Sequence, residues 1–340
     1  MKVLIISPTE SGIGGIAQHV GGLVNFLKKN GNSVDILSSA NTFTIQSKGL
    51  KNPSFALSAF LKTKFMSKYD IVHAHNLPSA FPMKYASGKK ILTLHGIYSE
   101  QIDILHGKSL GRLSYMYQKK ALLWADAITA VSKETHDYYT DLGCKVSLIP
   151  NAIDITSLPN KPQRLYTKQV IYAGRISKEK GILDLLEACK KFTQDVHILI
   201  LGTGPEEEKV KHIANAQKNV HFMGSMSKEH TISLIRGSDV LVQPSLAEGI
   251  SSTILEAMAC KVPVIATRIG GNIELIKHNE NGILVEPNSP QQLSDETLSL
   301  LENPEKSLIL REQAFTRVQK YDWSSVGPLY LNLYESLVNN

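Results

Sequence analysis

A chain of 340 residues, 42% hydrophobic and 20% charged, holds more apolar material than one ordinary core needs, and domains of roughly 100 to 200 residues make two the natural division. Nothing approaches the roughly 18 uncharged apolar residues that cross a bilayer, and Pro8 interrupts the opening apolar run too early for a signal peptide, so a cytoplasmic protein is expected. The net charge of +6 is uneven: residues 1–155 carry 17 Lys and Arg against 10 Asp and Glu, and residues 156–340 carry 20 against 21.

The lysines behind that excess include Lys62, Lys64, Lys68, Lys84, Lys89, Lys90, Lys119 and Lys120. They suit peripheral contact with an anionic membrane at its inner face or with a phosphorylated acceptor; a plain solvated surface is the rival reading. No nucleic acid is expected, because the lysines lie in no recognised motif and are not interleaved with exposed aromatics. Cys144, Cys189 and Cys260 stand apart without paired spacing, which argues against a disulfide framework or a thiolate zinc site. They read as small buried hydrophobes.

Taken in chain order, residues 3–7 form a continuous apolar run of the kind found in parallel strands covered on both faces. The run feeds the turn Gly12-Ile13-Gly14-Gly15, and Val20, Leu23, Val24 and Leu27 then recur at helical spacing until Asn30-Gly31 closes the helix. Further strands are expected over 33–37, 71–74, 90–94, 127–131 and 146–149, with helical stretches between most of them. Residues 150–168 break the pattern as a linker. A second strand series follows over 170–173, 197–201, 220–223, 240–243 and 263–266. Such alternation predicts an α/β protein with two doubly wound parallel sheets, divided into domains 1–155 and 156–323. The last helix, 324–338, either completes the second core or packs back on the first domain; the latter is expected.

In open parallel sheets ligands sit beyond the carboxyl ends of the strands, which directs attention to four turns. Gly14 and Gly15 open the first helix, where a backbone can approach an anion, although glycines also occur there simply to pack helix on strand. Arg175, after Gly174, and Lys180, before Gly181, pair a planar guanidinium with a mobile point charge, a combination suited to a diphosphate. Their rival reading is two ordinary surface cations. In 244–259, Glu248 stands in a loop, Gly249, Ile250, Ser251, Ser252 and Thr253 present backbone amides at a helix start, and Glu256 lies within the helix. The amides suit phosphate oxygens and the carboxylates suit sugar and ribose hydroxyls. Alternatively, Glu256 is a solvated helix residue and Glu248 a cap. His95, with His75 nearby in the same half, is cast as a hydrogen-bond donor to a transferred sugar. No metal site is expected, since no second ligand lies three or four positions from His95.

Taken together these segments resemble the family 4 retaining glycosyltransferases of the GT-B fold over nearly the whole chain. The resemblance is carried by Gly14-Gly15, Thr93-Leu94-His95-Gly96, Val131-Ser132, residues 149–154, Gly174-Arg175 with Lys180-Gly181, residues 202–205 and 222–224, residues 244–259, and Ile269-Gly270-Gly271 with Glu274. Glu248 and Glu256 match the family's E-x7-E signature. The resemblance implies two Rossmann-like domains whose parallel sheets face each other across a cleft. It also implies a nucleotide diphosphate sugar as donor, no cofactor and no divalent metal. Arg175 and Lys180 would grip the diphosphate, the amides of 251–253 would complete the anion site, and Glu256 would bind the ribose. Glu248 would hold sugar hydroxyls, His95 and the Gly15 amide would reach the sugar and phosphate, and the base would rest near Met223, Gly224 and Met226. A UDP-sugar is the first expectation for the donor and GDP-mannose the second, with a glycan, lipid-linked or small-molecule acceptor. Ile250-Ser251-Ser252 after Gly249, and Lys261 where a glycine often precedes Val-Pro, depart from the commoner pattern and weaken any choice of donor. A nicotinamide-dependent oxidoreductase, a sugar-nucleotide epimerase of the same fold and a non-catalytic sugar-nucleotide binder remain the alternatives.

Overall fold

The computed structural model describes residues 1–10, 14–45, 47, 50–99, 102 and 108–339; Gly12 and Ile13 of the expected first turn lie outside them. The chain forms two compact units, Met1–Ile153 joined by Trp323–Asn340, and Asp154–Asp322. The first unit runs β1 (Lys2–Ile6), α1 (Gly15–Lys29), β2 (Ser33–Leu37), α2 (Lys51–Thr63), β3 (Ile71–His75), α3 (Ala80–Tyr85), β4 (Lys89–Leu94), α4 (Lys108–Leu122), β5 (Ala127–Ala130), α5 (Lys133–Asp141) and β6 (Val146–Leu148). The second runs β7 (Lys168–Ala173), α6 (Ile182–Cys189), β8 (Val196–Leu201), α7 (Glu207–Ala216), β9 (Val220–Gly224), α8 (Lys228–Arg236), β10 (Val240–Gln243), α9 (Ser252–Ala259), β11 (Val264–Thr267), α10 (Gly270–Leu275), β12 (Ile283–Val285), α11 (Pro290–Glu302) and α12 (Pro304–Val318). The last helix, α13 (Trp323–Val338), belongs to the first unit.

Both sheets are parallel, ordered β2-β1-β3-β4-β5-β6 and β12-β11-β10-β7-β8-β9. Their central strands are buried on both faces, as β1 and β3 in the first unit and β7 and β10 in the second illustrate. This is why continuous apolar runs, rather than alternation, mark them in the sequence. The strand β12 was not foreseen. Its three residues, Ile283-Leu284-Val285, are buried on both faces against β11, and a run that short carries too little periodicity to register.

In the first unit, Val20, Leu23, Val24 and Leu27 of α1 pack with Val3 and Ile5 of β1 and with Trp323, Val326, Tyr330 and Tyr334 of α13. Two glycines permit the helix contact: a Cβ on Gly22 would run into the Trp323 indole, and one on Gly327 into the Phe26 ring. The Trp323 amide donates to the Ile153 carbonyl at 3.0 Å, tying the start of α13 to the end of the unit's first stretch of chain. The second core is assembled from β7, β8, α6, α11 and their neighbours. Cys189 and Cys260 are buried as expected, whereas Cys144 is only half-buried in the turn before β6.

Candidate active site

Each sheet reverses its strand order at one place, between β1 and β3 in the first unit and between β7 and β10 in the second. Loops leaving adjacent strands diverge there and open a crevice at the strands' carboxyl ends. In the second unit, the loop after β7 carries Gly174, Arg175, the short 3-10 turn Lys178–Lys180 and Gly181. The loop after β10 carries Glu248, Gly249 and Ile250 on the way to α9.

These two loops are fastened to each other. Lys180 Nζ donates to Glu248 Oε2 at 2.7 Å, with both side chains largely shielded. The same carboxylate oxygen accepts from Ser245 Oγ at 3.1 Å, and Ser245 Oγ accepts from Gln243 Nε2 at 3.1 Å. The Glu179 carbonyl accepts the amides of Leu246 and Ala247 at 2.8 and 3.2 Å. Gly181 has φ of +65°, a left-handed conformation that disfavours any side chain, and a Cβ there would overlap the Pro244 carbonyl oxygen. Glycine at this position lets the two loops touch.

Arg175 is exposed, with Nη1 3.7 Å from Glu179 Oε1, while its carbonyl accepts from the Tyr172 hydroxyl at 2.7 Å. Burial first, then the Glu248 and Glu179 carboxylates, hold the Tyr172 phenol well above its ordinary value, so it stays a neutral donor that fixes the loop. Gly174 lies against the Tyr172 ring. The outcome is a mobile guanidinium and a tethered ammonium on one loop, facing carboxylates that supply the counter-charge.

Ser251 is the N-cap of α9, its Oγ accepting from the Ile254 amide at 3.4 Å. Capping therefore belongs to Ser251 rather than Glu248, and the Ser252 and Thr253 amides stand in the helix's first turn, where orphan N–H groups and the helix dipole favour anions. Ile250 is buried and Gly249 half-buried; a Cβ on Gly271 would collide with the Gly249 carbonyl, and the Gly271 amide donates to the Glu248 carbonyl at 3.2 Å. Glu256 is 4% exposed. The solvated-helix alternative for it fails, because residues 254–260 are all buried on a helix sandwiched between sheet and neighbouring helices. Its Oε1 lies 3.9 Å from Lys228 Nζ, at the start of α8, a partner that no spacing in the chain singles out. Met223, Gly224 and Met226 are half-buried at the end of β9, with Gly224 at φ of +67° and its carbonyl accepting the Gly202 amide at 2.8 Å.

The first unit's crevice holds a different chemistry. Gly14 is the extended N-cap of α1, where a Cβ would meet nothing within 4 Å among the described residues, and Gly15 begins the helix. One turn on, His19 points inward and is buried; His73 and His75 are buried on β3, and His95 follows β4. His95 Nε2 lies 3.1 Å from His75 Nδ1, and the His95 amide donates to Asn76 Oδ1 at 2.9 Å. Asn76 takes φ of +61°, an uncommon conformation that aims its carboxamide at that amide. His19 Nε2 lies 3.1 Å from the Tyr330 hydroxyl, and His73 lies 2.6 Å from both the Tyr334 hydroxyl and Thr93 Oγ1. Burial lowers the pKa of all four imidazoles, to about 3 for His73 and His95, so they are neutral near pH 7. Sequence reasoning named His75 and His95 and missed His19 and His73; His19 stands among the buried apolar residues of α1 and His73 among those of β3, where a histidine reads as a core residue.

Residues 156–317 match the family described as Glycosyl transferases group 1, and residues 13–157 match the one described as Glycosyltransferase Family 4. The chain is 24% identical to the phosphatidyl-myo-inositol mannosyltransferase of Mycobacterium leprae, over 100% of this chain and 98% of that one. Among solved structures, the sucrose-phosphate synthase of Thermosynechococcus elongatus superposes with a TM-score of 0.83 at 21% identity, covering 99% of this chain and 98% of its own. Anabaena HepE in complex with UDP-glucose superposes with a TM-score of 0.76 at 18% identity, covering 99% and 100%.

Proposed function

Since this chain belongs to the family 4 glycosyltransferases and has the GT-B fold, we propose that it moves a hexose-type sugar, with retention of anomeric configuration and without a divalent metal at the diphosphate, from a nucleotide diphosphate sugar to a glycan, lipid-linked or small-molecule acceptor. Family membership leaves the oxidoreductase and epimerase alternatives without support. One observation carries the reading: the β7 and β10 loops converge at the strand-order reversal and bring Arg175, Lys180 and Glu248 to one place, with Lys180 and Glu248 in direct contact at 2.7 Å.

In this reading the incoming diphosphate takes up Lys180 and draws in Arg175, while the Ser251, Ser252 and Thr253 amides close around its oxygens. Glu248 turns to the hydroxyls of the sugar, Glu256 holds the ribose, and the base lies near Met223, Gly224 and Met226. His95 and the Gly15 amide, at the first unit's own crevice, are assigned to contacts with a sugar and a phosphate. The barrier lies in breaking the anomeric C–O bond, where positive charge grows on the sugar and negative charge on the leaving diphosphate. Fixed cations and amides at that diphosphate lower it. The leaving phosphate then accepts the acceptor's proton on the face it departs from.

UDP is the favoured nucleotide, supported by the UDP-glucose complex of a protein sharing the fold. GDP-mannose is the second choice, supported by the mannosyltransferase relative. Among the described residues no helix is long and apolar enough to cross a membrane. Exposed Phe43, Leu57, Leu61 and Phe65 beside Lys62, Lys64 and Lys68 support peripheral contact with anionic lipid. Incubation with UDP-, GDP- and ADP-sugars and mass spectrometry of the slow hydrolysis products tests the donor. Release of UDP from a UDP-sugar with added EDTA is expected, and a strict Mg²⁺ or Mn²⁺ requirement would sink the metal-independent reading.

A further inference from the structure

His19, His75 and His95 come from three separate elements, α1, the end of β3 and the residue after β4, yet one ring nitrogen of each lies within 4.8 Å of the corresponding nitrogens of the other two. His19 and His75 are 1% and 0% exposed. His19 Nδ1 is nonetheless buried without a hydrogen-bond partner among the described residues, an arrangement that calls for an explanation such as a bound ion. The His19 ring has a fixed second contact, Nε2 to the Tyr330 hydroxyl at 3.1 Å. When Nε2–H donates to that hydroxyl, Nδ1 presents a bare lone pair toward the cluster, the outer-sphere arrangement by which metal-ligating histidines are oriented.

We propose that these three histidines form a binding site for a borderline divalent transition-metal ion, Zn²⁺ above all. Three imidazoles are the protein ligand set of some catalytic zinc sites, and imidazole favours Zn²⁺, Cu²⁺ or Ni²⁺ over Mg²⁺ and Mn²⁺. The His75–His95 nitrogen separation of 3.1 Å is close to the roughly 3.3 Å between two nitrogens on one tetrahedral zinc at about 2.0 to 2.1 Å each. The His19 nitrogen lies within 4.8 Å of the other two and must close that gap for all three to hold one ion. The ion replaces the His75–His95 hydrogen bond and occupies His95; resting on the donor reading above, that occupation takes His95 away from the sugar and inhibits transfer.

The test uses the whole chain, freed of any polyhistidine tag and stripped with EDTA, titrated with Co²⁺ as a spectroscopic stand-in for Zn²⁺. Visible d–d bands of a four- or five-coordinate site saturating at one equivalent, bleached by Zn²⁺ and untouched by Mg²⁺, are expected. Flat absorption in the wild-type protein overturns the site, whatever any variant does. His19→Gln and His75→Asn should each abolish the bands with the circular dichroism spectrum kept; bands surviving both substitutions place the ion elsewhere and overturn the assignment. Activity is read separately. Bands that form while transfer continues undiminished refute the inhibitory role, whereas failure of every sugar nucleotide to react refutes the donor reading and leaves the spectroscopic result standing.

Discussion

The two crevices are built on the same topology and filled in opposite ways. In the second unit, the loops beside the reversal bring Lys180 to Glu248 and Arg175 toward Glu179, and Lys228 at the start of α8 lies near Glu256 within α9. In the first, the equivalent place is occupied by uncharged rings: His19, His73, His75 and His95, with the Tyr330 and Tyr334 hydroxyls behind them. A charged site exchanges one ionic partner for another, so a diphosphate can replace Glu248 at Lys180 without leaving a charge bare in the interior. A neutral site instead depends on keeping protons and ions out, or on admitting a particular one. The first arrangement responds to ligand charge, and the second to pH and, on the proposal above, to borderline transition-metal cations.

Removing the second unit's cations should break the comparison most sharply. Arg175→Ala and Lys180→Ala are each expected to lower kcat/KM by about 100-fold or more, about 2.7 kcal/mol, as loss of a preorganised charge stabiliser does. Wild-type rates in both would dismiss this loop from the chemistry.

Acid should act on the first unit instead. Above the ordinary histidine value of 6.5, the folded and unfolded chains both hold these rings neutral; below it the unfolded chain gains protons that the core refuses down to about 3 for His73 and His95. Stability is therefore intact above that value and lost as pH falls through the window, by about 1.4 kcal/mol per pH unit for each ring that stays neutral. Urea midpoints of the chelator-treated protein at about pH 7.5 and about pH 5 measure it, and an unchanged midpoint would mean the rings are far more accessible to protons than their burial implies.

The smallest effect belongs to the first unit's outer surface. Lys64→Ala should weaken binding to anionic vesicles by about 1 kcal/mol, roughly five-fold, and added salt should weaken it further. Flotation that is indifferent to both salt and the substitution would remove the membrane from the account.

Parallel strands were legible because burial on both faces writes an unbroken apolar word, as at residues 3–6 and 240–242. The charged residues of the second unit were legible for a related reason: Arg175, Lys180, Glu248 and Glu256 follow such runs in loops or at a helix start, within short stretches of sequence. What escaped notice was assembly across distance. His19, His75 and His95 are separated by 56 and 20 positions, so a search for ligands three or four residues apart passes over them; parallel pairing of β1 with β3 and β3 with β4 brings their elements side by side. The burial of Glu256 was likewise open, since helical spacing alone does not say which face of α9 meets a neighbour. Nor does anything in a three-residue run such as β12 distinguish a strand from a turn.

The return of α13 to the first unit sets an order of events during synthesis. Residues 154–322 are contiguous and can complete their core as soon as they leave the ribosome, but the first unit lacks Trp323, Tyr330 and Tyr334 until after those residues have been made. Until then Gly22 faces an unfilled slot and the His19 and His73 rings lack their hydroxyl partners. The strands made before the second unit are thus covered after it, and removing the residues from Trp323 onward would deprive β1 to β6 of their covering helix while sparing residues 154–322.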